Sequence, residues 1–203
     1  ILGAIVFVMI ILAFVSFKRG TRTMLDVLRE GLPLLIPLSL LGITAGVLYT
    51  SRLESLIAAA AVLILISPFM NGCGSIGGIL TSRIGTEMHM GMIDPVLFPQ
   101  KTVLKHFGEN YIYSIIFLPL MGAIAHFAAV LLGITTPGLL MMVLISLLAG
   151  ILVVTAMNLL GYYTAVITYR KGFDPDNFGV PVVTSSIDLI GATCLLAVMM
   201  FLL

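Results

Sequence analysis

Polar residues in this chain come in short bursts, and between the bursts run apolar stretches long enough to cross a bilayer. Residues 1–17 carry no charge and end at Lys18 and Arg19. At about 1.5 Å per residue they reach roughly 25 Å, a little short of a bilayer core, so this helix is expected to begin ahead of Ile1. It reads as a retained span, because no basic leading region or small-residue cleavage site marks a signal peptide. Residues 21–31 place Met24, Leu25 and Leu28 on one side, with Arg22, Asp26 and Arg29 elsewhere, which predicts a short amphipathic helix at the membrane surface. The next span covers 32–49, with Pro33 in its first turn, where a missing N–H costs nothing, and Pro37 one turn later as a bend.

A tight turn at 51–54 returns the chain into a span over 56–82. This span is apolar up to Pro68 and then rich in small residues: Asn71, Gly72, Gly74, Gly77 and Gly78. A polar loop over 83–108 precedes a span at 111–132, and a charge-free turn near 135–138 leads into another at 139–164. The loop at 168–179 carries Arg170, Lys171, Asp174 and Asp176, and the last span covers 180–203. The pattern predicts an all-α polytopic membrane protein of about six transmembrane helices.

Composition agrees: 60% of the 203 residues are hydrophobic and 9% charged, with a mean hydropathy of +1.21, against about 25% charged in soluble domains. If the segments alternate sides, the loops at 18–31, 83–108 and 168–179 share one side and hold nine of the ten Lys and Arg residues, with Arg52 alone opposite. The positive-inside rule makes that side cytoplasmic and sends both ends of the chain outward, with the cell membrane as the expected location. A net charge of +1 leaves no basic surface for nucleic acid. Cys73 and Cys194 stand in uncharged stretches without CxxC or Cys/His spacing, so they read as small buried residues.

One residue departs from this economy. Asp188 lies inside the last apolar span, where a carboxylate costs roughly 2.5–3.5 kcal/mol even on the mildest insertion scale. Its cost must be offset by a cation, a hydrogen-bond partner or a proton. Pro181, Thr184, Asp188 and Gly191 fall on one helix face, and Thr184 and Ser185 make the neighbourhood hydrophilic enough for water. The competing structural role ties Asp188 to Asn158, a Tyr or a Thr of an adjacent helix. Asn158 itself reads first as an interhelical hydrogen-bonding residue, and His126, alone in an apolar span, as a neutral packing residue. Two segments, 67–78 and 174–181, are expected to interrupt their helices with Gly, Pro and Asn, turning backbone carbonyls toward an ion; for Gly74 and Gly78 a GxxxG packing contact is the plainer alternative. Asp174, Asp176 and Asn177 suit turn chemistry and equally a vestibule that attracts cations, to which the loop residues Glu87, His89 and Asp94 are weaker candidates.

The run GFDPDNFGVPVVTSSIDLIGA resembles the final loop and last helix of the MgtE and solute-carrier family 41 magnesium transporters, and SPFMNGCGSIGGILTSRIGT resembles their glycine-rich second helix. The resemblance implies a five-helix transport domain over 32–203, preceded by an extra transmembrane helix at 1–19 and the surface helix at 20–31. It further implies pairing with a second such unit, here as a homodimer, and a cation path along the interface between the glycine-rich helix and the last helix. Asp188 then matches the membrane-embedded acid of the pore and Asp174 the acid at its cytoplasmic end.

The expected function is transport of divalent cations, with Mg2+ as leading substrate, and the expected metal-site residues are Asp188, Asp174, Thr184, Ser185, Asn71 and Gly74. An exchanger driven by Na+ or protons and a non-transporting membrane scaffold are the alternatives. An intramembrane enzyme is disfavoured, since no HExxH, paired catalytic acids or Ser/His arrangement stands at membrane depth.

Overall fold

The computed structural model describes residues 22–52 and 60–203, with side chains from Pro33 onward. Five helices follow one another in this part: α1 Arg22–Ser51, α2 Ala60–His89, α3 Lys101–Leu131, α4 Leu139–Arg170 and α5 Val180–Leu202, with a π-helical turn Pro175–Gly179 leading into the last. All five are long and apolar enough to span a bilayer. The chain is therefore a multi-pass membrane protein. The helix expected at 1–19 and the side chains of the surface segment at 20–31 lie outside the described residues.

Several boundaries differ from the sequence-based expectation. The backbone runs as one helix from Arg22 to Ser51, so Pro33 is an interior residue rather than a first-turn one. Pro33 and Pro37 each withhold one helical N–H, which a long apolar helix tolerates when its neighbours hold it straight. Residues 67–78 do not break α2: the helix continues through Pro68 and the glycines to His89. Both α2 and α3 extend well into the polar loop between them, shrinking the loop of 83–108 to residues 90–100, and α4 runs on to Arg170. Hydropathy sets the apolar middle of a span, but polar helix ends that pair with one another extend it further.

α4 packs against α2, α3 and α5, and its sequence is apolar almost all round, since the face away from these helices, with Leu148, Leu152, Leu159 and Ile167, is exposed as a lipid-facing side would be. Small residues set the contact distances. A methyl group on Gly77 would collide with Met157, and one on Gly150 with Leu118, while a Cβ at Gly122 would fall 2.5 Å from the Met142 carbonyl oxygen. With little hydrophobic drive between helices in lipid, this close approach supplies the dispersion contacts that hold them. One apolar cluster, including Leu65, Phe69, Met142, Val153, Met157, Val183 and Ile187, fills the middle of the bundle. A second, with Leu80, Ile84, Ile93, Val103 and Tyr162, closes the end that carries the basic residues. Among the described residues α1 packs on α5 and the π-helical turn, and its Leu35, Ile36, Leu40, Ile43 and Val47 face outward.

Polar groups that the bundle buries are mostly paired. Asn110 Nδ2 donates to Asn158 Oδ1 at 2.8 Å between α3 and α4, Ser146 Oγ donates to the Leu118 carbonyl at 2.6 Å, and Tyr111 and Thr155 share a hydroxyl contact of 2.8 Å. His126 Nδ1 meets Thr136 Oγ1 at 2.9 Å in the turn after α3, the packing role expected of it. Cys73 and Cys194 are free thiols.

Candidate intramembrane cation site

The site is built where α2 and α5 run side by side. Ser67, Asn71 and Ser75 recur every fourth residue, so one strip of α2 carries three exposed polar side chains at membrane depth. Across from them α5 presents Val180, Thr184, Ser185 and Asp188. Between the two helices lies a cavity of about 720 Å³. Asp188 stands close to the middle of the 28-residue span Pro175–Leu202, and its carboxylate is exposed on this surface of the bundle. No described residue forms an ion pair or hydrogen bond with it. The structural tie to Asn158 does not form, because Asn158 is spent on Asn110.

Local chemistry decides which atoms face the cavity. The Thr184 hydroxyl donates to the Val180 and Pro181 carbonyls at 2.9 and 3.1 Å, leaving its oxygen lone pairs for a ligand. Ser75 Oγ donates to the Asn71 carbonyl at 2.9 Å and is left in the same state. Gly74 is buried within α2, yet a Cβ there would meet nothing within 4 Å: the glycine opens space instead of filling a contact. At Gly78, by contrast, an added Cβ would stand at ordinary contact distance from α5, 3.4 Å from Val180 Cγ1 and 3.6 Å from Thr184 Cγ2. Both glycines line the cavity, and Gly78 alone of the two also approaches α5. Because α2 is unbroken, its carbonyls in this stretch are taken up by the helix, and the polar atoms on offer are those of side chains.

A second cavity of about 530 Å³ adjoins the first, sharing Gly78, Ile79 and Val180, and ends among Ser82, Arg83 and Asp176. Together the two make a groove from mid-membrane to the basic end of the bundle. The acid at this mouth is Asp176. Asp174 serves the turn instead: its Oδ1 accepts the Asp176 N–H at 2.9 Å and its carbonyl accepts the Phe178 N–H at 3.0 Å. The π-helical turn is seated by Pro175 against Gly85 and by Gly179 against Thr81, so the small residues of α2 fix the approach of α5 to the groove.

Of the expected site residues, Asp188, Thr184, Ser185, Asn71 and Gly74 line one cavity, and Asp174 does not line it. Ser67 and Ser75 line the same cavity and Arg83 the adjoining one, and the fourfold spacing of Ser67, Asn71 and Ser75 is visible in the sequence. The loop residues are occupied elsewhere. Glu87 meets His106 Nε2 at 3.0 Å, Asp94 accepts from Gln100 Nε2 at 3.1 Å, and His89 Nδ1 lies 2.8 Å from the Gly85 carbonyl oxygen. Arg83 is held by Glu109 at 2.8 Å, and Glu109 also faces His106 Nδ1 at 3.4 Å, so the one cationic side chain at the mouth has its charge offset from behind. Among the described residues no three His, Cys, Asp or Glu side chains gather into a metal cage.

Fold and groove define a multi-pass helical membrane protein built around a polar cavity with a carboxylate at its deep end. A family model described as MgtE, divalent cation transporter, matches residues 66–198, from the middle of α2 through nearly all of α5. The chain belongs to the MgtE family. Mouse solute carrier family 41 member 3 is 31% identical over 154 residues, a stretch that covers 68% of this chain and 31% of that protein's length. No solved structure matches the chain.

Proposed function

We propose that this protein carries divalent cations, with Mg2+ as the leading substrate, along the groove between α2 and α5. The observation that carries this reading is Asp188: a carboxylate at mid-span, without a partner among the described residues, facing a cavity lined by Asn71, Ser75, Thr184 and Ser185. A buried charge held for structural reasons would have a partner, whereas one that serves an ion pathway is left free for the ion. Membership of a family described as divalent cation transporters supports the same reading.

Magnesium releases its waters reluctantly and prefers octahedral oxygen ligation. A single carboxylate surrounded by hydroxyls and an amide suits a hydrated ion, held through its water shell rather than stripped. Thr184 and Ser75 present acceptor oxygens to such a shell, and Asp176 raises the cation concentration at the mouth. Asp174 acts by shaping the turn that carries Asp176.

The exposed strip Ser67, Asn71, Ser75 and the exposed Asp188 also argue for a homodimer, since such a surface at membrane depth is stable only against protein or water. Twofold pairing is the commonest closed symmetry and would set two Asp188 carboxylates across one path. With about 2.1 Å from ion to water and about 2.7 Å from water to oxygen, they would stand roughly 9–10 Å apart around a hydrated ion.

Magnesium flux into liposomes tests this, with wild type and Asp188→Asn compared under imposed Na+ and pH gradients. Flux that requires Asp188 supports the path, and its response to the gradients separates a channel from an exchanger coupled to Na+ or protons. A folded protein that moves no magnesium under any gradient would leave a scaffold as the better reading.

A further inference from the structure

The loop between α2 and α3 is built in a way that the cation path does not require. Residues 90–100 expose Met92 (66%), Leu97 (60%) and Phe98 (83%), an apolar tip in a segment that hydropathy alone marks as a loop. The tip is not loosely hung. Tyr162 Oη donates to the carbonyls of Val96 and Phe98 at 2.8 and 3.2 Å, Arg170 Nε donates to the Pro95 carbonyl at 2.7 Å, and Ile93 is buried beneath. Two side chains of α4 thus fix the backbone on either side of Leu97.

Depth follows from the helix. Tyr162 stands eight residues before Arg170, about 12 Å along the axis, and helix side chains lean toward their own N-terminus, which for α4 is the opposite membrane face. The Val96 and Phe98 carbonyls, bonded to the hydroxyl of the buried Tyr162, are therefore drawn below the C-terminal end of α4. Around the tip stand the exposed cations Lys101, Lys105, Arg170 and Lys171; of the acids nearby, Asp94 is engaged by Gln100 and Glu109 by Arg83 and His106, while Asp174 lies three residues beyond Lys171.

We propose that residues 94–100 form a preset wedge that inserts Leu97 and Phe98 into the adjacent leaflet, with Lys101, Lys105, Arg170 and Lys171 drawing anionic lipid headgroups to it. The partner is the bilayer of the protein's own membrane, recognised by apolar insertion combined with charge, as amphipathic surface segments recognise it. Nothing in the inference depends on what the groove transports.

These 203 residues contain no tryptophan, so Phe98→Trp makes a single-site reporter in this chain. Phe98 is exposed, and Leu97→Trp reports the same tip should the first variant fold poorly. Each variant is reconstituted into phosphatidylcholine vesicles with and without phosphatidylglycerol, and quenched either by lipids brominated near the top of the acyl chains or by aqueous iodide. Insertion of about 5–10 Å into the headgroup boundary predicts blue-shifted emission, loss of about half the signal to bromolipid and protection from iodide. Phosphatidylglycerol should deepen the bromolipid quenching, and Lys101→Gln with Lys105→Gln should remove that increment alone. Water-like emission with full iodide quenching overturns the proposal, as does shielding from both quenchers, which would mean that protein covers the loop. Equal quenching in both vesicle types, unchanged by the lysine substitutions, overturns its electrostatic part.

Discussion

Asp188→Asn keeps the size and polarity of the side chain and removes one charge, so its effect on transport reads the electrostatic attraction alone. In the proposed path the carboxylate acts on a divalent ion through one water, at about 4.8 Å. The groove is open to water on one side and walled by helices on the other, so an effective dielectric of about 40 is appropriate, and the attraction comes to about 3.5 kcal/mol. At about 1.4 kcal/mol per decade, flux at sub-saturating magnesium should fall by roughly two orders of magnitude. Because Asp188 has no hydrogen-bond or ionic partner among the described residues, the same change breaks no contact, and it relieves a charge at mid-span. Thermal stability in detergent should therefore hold or rise while flux collapses. The assay is dye-reported magnesium entry into liposomes over a range of external concentrations, with Asp188→Glu as the charge-preserving control. Flux for Asp188→Asn within about threefold of wild type, in protein that melts normally, would refute the reasoning, because no dielectric between 20 and 80 makes an attraction at that distance so small.

Gly74→Ala should leave the melting temperature unchanged yet reduce flux, since its methyl meets no neighbour and protrudes into the cavity; Gly122→Ala should lower stability by about 1–3 kcal/mol, because its methyl is driven onto the Met142 backbone. Asn158→Ala strands the buried Asn110 amide and should lower stability by about 1–2 kcal/mol, and the double variant with Asn110→Ala should recover part of that loss in a double-mutant cycle of melting curves. Glu109→Gln leaves Arg83 with its charge uncompensated beside Asp176, so the half-saturating magnesium concentration should rise several-fold, most at low ionic strength, and adding Arg83→Gln should bring it back.

How much of this was legible beforehand depends on what physics writes into one dimension. Five membrane spans and the anomaly of a carboxylate at position 188 are readable because desolvation acts on each residue according to its own chemistry. Thr184, Ser185 and Asn71 follow from helical spacing once their spans are known, and they do share a cavity with Asp188. Whether glycines break a helix is not readable in that way. Gly72, Gly74, Gly77 and Gly78 carry an intrinsic penalty in water, but in a bundle Gly77 accepts Met157 and Gly72 accepts Phe117, and the contacts keep α2 whole. The two acids of the DPDN run were equally suited to the mouth by composition, and the hydrogen bond from Asp176 N–H to Asp174 Oδ1 is what separates them. Arg83 escaped notice because it sat in an apparent loop; its place at the groove depends on α2 continuing past residue 82 to His89.

The groove also explains an asymmetry within the bundle. α4 turns its polar atoms inward, with Asn158 Oδ1 accepting from Asn110 and Ser146 donating to the Leu118 carbonyl, and only the buried Asn158 Nδ2 is left without a partner among the described residues. α2 and α5 do the opposite: Ser75 and Thr184 bond their hydroxyl protons to their own helices and turn their lone pairs outward, while Asp188 adds a full negative charge. Around the charge of Asp188, Ser75 and Thr184 offer only acceptor lone pairs, while the Asn71 amide and the Ser67 and Ser185 hydroxyls can serve as donor or acceptor. A surface meant only to bind another helix would mix donors with acceptors so that the two could satisfy each other. One that offers mainly acceptors around an anion is complementary to the outer face of a hydrated cation, whose waters present protons in every direction. In the proposed path a second copy would close the groove, and the ion with its water shell would satisfy its acceptors.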